Sequence, residues 1–324
     1  MSTTIGIDIG GTKVSGGVVD ARGRILERAR RDTPDRSREP AVVEETIMAV
    51  IDELLARHEG VEPEAVGIGA AGFVSADRGT VVFAPHLSWR NEPLRDRMSE
   101  RTGRPVTVDN DANAALWAEY RYGAAHGHAE VVMITLGTGI GGALLVAGHL
   151  ARGRYGLAGE YGHMQVVRGG LRCECGNKGC WEQYSSGNAL VREARSMVAA
   201  QSPLASELAT RAKGDPAALT GPMITEAARD GDRTARELLA EVGDWLGRGI
   251  ANLAAALDPE LFVIGGGVSA AGELLLEPAR ERLAKQLTGR GYRPVARIVG
   301  ARLGPDAGLI GAADLARVEH LGPR

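Results

Sequence analysis

The chain has 324 residues, 44% of them apolar and 24% charged, with a formal net charge of −3. That length fits two ordinary domains, and the charge argues against a protein that neutralises phosphates along a duplex. The start lacks a basic segment followed by an apolar one, and no apolar run approaches the ~20 residues of a bilayer span, so a cytoplasmic protein with no membrane partner is expected.

Thr4 to Ile9 alternates apolar with small or polar residues and breaks at Gly10-Gly11-Thr12-Lys13. Val14 to Val19 resumes strand character, Asp20 to Gly23 reads as a turn, and Arg24 to Arg31 as a third strand, together a β-meander. Pro40 to His58 has apolar residues at 43, 47, 50, 51, 54 and 55, a helical period. Ala65 to Ala70 is a short strand leading into Gly72. Glu92 to Thr102 reads as a helix, Val106 to Asp109 as a buried strand, and Asn113 to Tyr122 as a helix.

The opening pattern then returns. Val131 to Leu136 is a strand, Gly137-Thr138-Gly139-Ile140-Gly141-Gly142 a glycine turn, and Ala143 to Val146 a strand. Two copies of one supersecondary unit suggest a duplicated domain with a cleft between the copies. Residues 201–232 read as short helices with loops. Leu238, Leu239, Val242, Leu246, Ile250, Leu253 and Leu257 keep a helical period up to Asp258-Pro259, and Leu261 to Ile264 is a strand entering Gly265-Gly266-Gly267.

Gly137 to Gly142 satisfies the spacing of a dinucleotide-binding fingerprint, but that motif needs a helix to open at its last glycine. A strand follows instead, so the fingerprint fails on context. A bare glycine turn has two readings, a structural hairpin or converging N–H groups on an anion. Two matched turns with Thr, and with Lys13 in the first, favour phosphates. Asp8 beside the first turn is either a structural residue or a holder of Mg²⁺, directly or through water.

At Asp109-Asn110-Asp111-Ala112-Asn113 a buried strand meets a helix. One Asp or Asn would cap the helix, and the excess sits where open α/β sheets bind ligands. A carboxylate there can serve as general base toward a hydroxyl, and the Asn110 amide can bind other hydroxyls. Glu160, His163 and Glu182, among Gly156, Gly159 and Gly162, form a polar segment suited to a hydroxyl-rich ligand.

All three cysteines, Cys173, Cys175 and Cys180, lie within eight positions. In a reducing compartment a metal site or free thiols outrank a disulfide. Zinc takes four tetrahedral ligands, and His163 is the natural fourth. No second C-x-x-C or recognition helix accompanies them, which argues against a nucleic-acid finger. A closed four-ligand site is structural.

In this order the motifs Ile7-Asp-Ile-Gly-Gly-Thr-Lys13, Asp109 to Asn113, Leu136 to Gly142, Gly159-Glu-Tyr-Gly-His163 and Cys173 to Cys180 resemble the ROK family of bacterial sugar kinases and sugar-responsive repressors. The resemblance covers essentially the whole chain and is greatest to the family's ATP-dependent glucokinases. It implies an α/β fold of two RNase-H-like (actin/hexokinase-like) domains flanking a cleft. The smaller would be residues 1–110, completed by a C-terminal helix within about 300–324, and the larger residues 111–299. It further implies that Asp111 takes the proton from the 6-hydroxyl of glucose, and that Gly72, Asn110, Glu160, His163 and Glu182 surround the sugar. Gly10, Gly11, Thr12, Lys13, Thr138 and Gly139 would hold ATP phosphates with Mg²⁺, and Gly265 and Gly266 would lie near the nucleoside. Structural Zn²⁺ would be bound by His163, Cys173, Cys175 and Cys180. Family repressors carry a helix-turn-helix ahead of the first turn; its absence here removes a nucleic-acid partner, and a homo-oligomer, dimer or tetramer, is expected. Competing readings are a kinase for N-acetylglucosamine, N-acetylmannosamine or fructose, a polyphosphate-dependent kinase, a non-catalytic sugar sensor and a zinc-dependent nucleic-acid binder.

Overall fold

A computed structural model describes residues 2–322. In chain order, β1 (Thr3–Ile9), β2 (Lys13–Asp20) and β3 (Ile25–Asp32) form the meander, followed by α1 (Pro40–Arg57) and β4 (Val66–Ala70). A small antiparallel sheet of β5 (Phe73–Val74), β6 (Val81–Phe83) and β7 (Arg90–Glu92) precedes α2 (Leu94–Thr102), β8 (Val106–Asn110) and α3 (Asp111–Tyr122). Next come β9 (Val131–Leu136), β10 (Ile140–Val146), β11 (His149–Leu150), α4 (Gly187–Ala199), α5 (Ser206–Arg211), α6 (Gly221–Arg229) and α7 (Arg233–Leu257). The chain ends with β12 (Leu261–Gly265), α8 (Glu273–Gln286), β13 (Arg297–Gly300) and α9 (Ala307–Leu321). Among the described residues no helix is long and apolar enough to cross a membrane.

The two larger sheets share one plan. Their orders are β3-β2-β1-β4-β8 and β11-β10-β9-β12-β13, an antiparallel ribbon followed by two parallel strands. The repeat read from the glycine turns therefore extends to the whole sheet. Three strands of the second sheet differ from the sequence reading; β11, two residues long, was not read as a strand. β10 begins at Ile140, so Gly141 and Gly142 belong to the strand and only residues 137–139 form the turn. β13 was not anticipated at all, being four residues long.

The chain divides into two compact units. The first holds the chain up to Ala129, Ala143–Gly159 and the segment from Arg302 onward; the second holds Glu130–Gly142 and Glu160–Ala301. In the first, the period-2 pattern of β1 sorts its side chains onto two faces. Ile5, Ile7 and Ile9 enter a core with Val43, Ile47, Val50 and Leu54 of α1. Thr4, Gly6 and Asp8 face α9 instead: Thr4 Oγ1 donates to the Ala313 carbonyl at 3.0 Å. A Cβ on Gly6 would strike the Leu309 carbonyl, and one on Gly308 would meet the Asp8 carboxylate. Small residues are what let this helix lie on the sheet.

α9 also carries α3. Gly311 meets the Ala114 carbonyl closely enough to exclude any side chain. Beside that contact, Trp117 Nε1 and Arg121 Nε donate to Asp314 Oδ2 at 2.8 and 3.1 Å. Asp314 is 2% exposed, and its partners supply what a buried carboxylate needs. α3 is thereby fixed to α9 along its length.

Candidate active site

β8 runs parallel to β4, with Asp109 and Asn110 paired to Gly69 and Ala70, so the polar run lies at the carboxyl edge of a parallel pair. Asn110 is the N-cap of α3; its Oδ1 accepts from Ala112 N–H at 2.9 Å and Asn113 N–H at 3.2 Å. Its Nδ2 donates to the Gly72 carbonyl at 3.1 Å. Capping therefore consumes the amide oxygen and one N–H, which leaves a single amide hydrogen for a ligand. Gly72 has φ +153°, and a Cβ there would collide with Phe83 and Ala84, so only glycine brings its carbonyl to Asn110. Asp111 is the first residue of α3, and its Oδ1 accepts from Ala112 N–H at 2.9 Å, which sets the direction of the carboxylate.

The first glycine turn closes through Gly10 N–H to the Lys13 carbonyl at 3.0 Å, braced by Thr33, whose hydroxyl donates to the Gly10 carbonyl at 2.7 Å. Gly11 and Thr12 are exposed. Gly10 and Gly11 have no positive φ. Close packing and not backbone conformation favours glycine at position 11, where a Cβ would press on His86 at 3.2 Å. Asp8, half-buried against α9, has its pKa pushed up to about 6 by desolvation, with the Lys13 charge opposing.

The second turn mirrors the first. Gly137 N–H donates to the Gly139 carbonyl at 3.1 Å, and Gly187 N–H to the Gly137 carbonyl at 2.8 Å. Neither turn glycine has positive φ, and nothing lies within 4 Å of a Cβ on Gly137. Beside it opens a cavity of about 400 Å³ lined by Thr138, Asn188, Leu190, Thr225, Val268 and others. Gly265 is the buried end of β12, and Gly266, φ +81°, presses on Leu136. The cavity wall itself is made by Gly267, Val268 and Ala270. Asn188 and its helix α4 were missed in the sequence, whereas α6 falls in the 201–232 stretch read as short helices; the one available signal for α4 was Ser186, which caps it by accepting from Ala189 N–H at 3.1 Å.

Glu160, His163 and Glu182 converge with the cysteines. His163 Nδ1 lies 3.6 Å from Cys173 Sγ and 3.5 Å from Glu182 Oε1, and its Nε2 lies 3.9 Å from Glu160 Oε2. Cys173 Sγ donates to Glu182 Oε1 at 3.0 Å, and Glu182 packs over Gly139. Burial, and the Glu182 carboxylate beside it, push the Cys173 thiol up. Desolvation raises Glu160 and Glu182 adds to the rise, against the lowering effect of His163.

The donor atoms of His163, Cys173, Cys175 and Cys180 all lie within 4.8 Å of one another. Tetrahedral ligands at the ~2.3 Å Zn–S distance sit about 3.8 Å apart, and Cys175 and Cys180 Sγ are 3.6 Å apart. The four donors therefore fit zinc. Trp181, fully buried, anchors the next residue by donating Nε1 to the Trp245 carbonyl at 2.8 Å and packing on Gly249 of α7.

Residues 4–319 match the ROK family. The chain is 46% identical over 317 residues to the glucokinase of Streptomyces coelicolor, covering 98% of each chain. It is 37% identical over 319 residues to that of Thermotoga maritima, again over 98% of each. The ROK family glucokinase from Streptomyces griseus, solved in complex with glucose and AMPPNP, superposes with a TM-score of 0.90 at 48% identity, over 98% of this chain and 99% of that one. With its motifs in family order and the likeness spanning nearly its full length, this chain belongs to the ROK family.

Proposed function

We propose that the chain is an ATP-dependent glucokinase, transferring the γ-phosphoryl group of ATP to the 6-hydroxyl of glucose. The observation that carries this reading is the full-length likeness to glucokinases, including one bound to glucose and AMPPNP. Asp111 at the head of α3 supports it, because a carboxylate oriented at a sheet's carboxyl edge suits a general base.

In this reading Asp111 takes the hydroxyl proton as the oxygen attacks phosphorus. Asn110, Glu160, His163 and Glu182 hold the other hydroxyls, and the Gly72 carbonyl orients Asn110. The two glycine turns, Gly10 to Lys13 and Thr138-Gly139, present N–H groups to the phosphates, and the cavity along α4 and α6 takes the nucleoside. Phosphoryl transfer asks chiefly for positioning and charge stabilisation. Asp8, a carboxylate kept from water, would hold Mg²⁺, whose charge offsets that of the phosphates. Cys173, Cys175, Cys180 and His163 Nδ1 would hold Zn²⁺, a structural clip that leaves His163 Nε2 to face Glu160 and the sugar.

Asp111→Asn is expected to keep glucose affinity within a few-fold while kcat falls by about 10²–10⁴-fold. Near-wild-type kcat would remove Asp111 from the role. A coupled assay across several hexoses, with ATP or polyphosphate as donor, tests substrate and donor together.

A further inference from the structure

Asp109 is 2% exposed, yet both carboxylate oxygens are doubly engaged. Oδ1 accepts from Asn110 N–H and from Asn113 Nδ2, each at 2.9 Å. Oδ2 accepts both Nε and Nη2 of Arg152, at 2.9 and 2.5 Å. Arg152 is itself half-buried, its side chain 22% exposed. A buried ion pair of this kind is weak evidence for stability, because desolving both charges offsets most of their attraction. What it fixes is geometry.

On one side, Asp109 holds the backbone of Asn110 and the side chain of Asn113. These are the cap and the first turn of α3, the segment that carries Asp111. On the other side, Arg152 opens the loop 151–159, which runs directly into Glu160. Ala158 N–H donates to the Arg152 carbonyl at 3.0 Å, so the loop closes on the residue the ion pair pins. Gly156 is buried against the backbone of Val74 to Ala76, where any Cβ would collide. Arg152 is thus the point where the loop leading to Glu160 is tied to the end of β8, from which α3 begins with Asp111.

We propose that Arg152 is a positioning residue for phosphoryl transfer, acting through Asp109 on both the base-bearing helix start and the loop that enters the sugar-binding segment. This rests on the glucokinase reading, and wild-type turnover with glucose and ATP tests that reading separately. Both guanidinium contacts of Arg152 go to Asp109, so its effect is to hold the groups that the glucokinase reading assigns to the substrate.

The test separates orientation from stability. Arg152→Met leaves Asp109 buried without its counter-charge and should lower both melting temperature and activity. The double variant Asp109→Asn/Arg152→Met removes the stranded charge and should recover most of the melting temperature. It should still lose on the order of 10²-fold in kcat/KM for glucose, with KM for ATP within a few-fold of wild type. Amides of residues 153–158 should exchange hydrogen faster in it. Should the double variant fold poorly, Arg152→Lys keeps the charge without the planar fork; it should melt near wild type with an intermediate loss of kcat/KM. Activity that recovers in step with melting temperature, wild-type exchange across the loop, or full activity in Arg152→Lys would each overturn the proposal.

Discussion

Asp8 shows how one residue can trade stability for chemistry. The alternation of β1 turns its carboxylate toward α9, where Gly308 packs on it and desolvation pushes its pKa up to about 6 from the usual 3.8. A folded-state pKa above the unfolded one means that the native state binds the extra proton, so this group's contribution falls as pH rises from about 4 to about 6. At most about 3 kcal/mol is lost above that window, at 1.36 kcal/mol per unit. Asp8→Asn should therefore melt higher than wild type at about pH 8 without Mg²⁺ or nucleotide, with a smaller gain at about pH 5, while losing Mg²⁺-dependent turnover. Equal gains at both pH values would show that the carboxylate is not desolvated. His163 was legible because three cysteines leave one tetrahedral zinc ligand wanting, and a histidine ten residues before Cys173 can supply it. Arg152 was not, because an arginine beside glycines reads as surface, and only the fold brings Asp109 to it.

The glycine turns, the strand pairs beside them and the cysteine loop follow from local chemistry, although the second turn is shorter than expected because β10 already begins at Ile140. The loop's function depends on its anchorage as well as its ligands. Trp181, between Cys180 and Glu182, is seated on Gly249 of α7, a contact with no local signature. Replacing Cys175 or Cys180 by Ala should release zinc, measured by metal analysis, and weaken glucose binding by about ten-fold or more, since Glu182 and His163 lose a shared clip. Intact glucose affinity in a zinc-free variant would uncouple metal from sugar. The small sheet β5–β7 escaped the sequence because strands of two or three residues carry no readable period. Helix α8 escaped partly because Pro278 lies inside it. Helices α7 and α8 close on each other at Gly243 of α7, where a Cβ would collide with the Leu275 carbonyl and press on the Pro278 ring.

Over the whole molecule, the chain's last helix completes the unit that its first strand begins. α9 lies on β1 and β4 because Gly6 and Gly67 have no side chains to hold it off; a Cβ on Gly67 would collide with the Ala312 carbonyl. Gly67→Ala should lower stability by at least about 2 kcal/mol, read from the urea midpoint. An unchanged midpoint would mean that α9 is not seated there. The sequence by itself determined the repeated glycine turns, the four residues whose donor atoms fit a metal and the polar run at Asp109 to Asn113, because each depends on spacing over a short stretch of chain. Only the tertiary structure decided that Asn110 spends its amide on capping and Gly72, that the cavity beside the second glycine turn has walls from α4 and α6, and that Arg152 grips Asp109. Those outcomes depend on which distant backbones come within hydrogen-bond reach, and residue spacing along a chain carries no record of that.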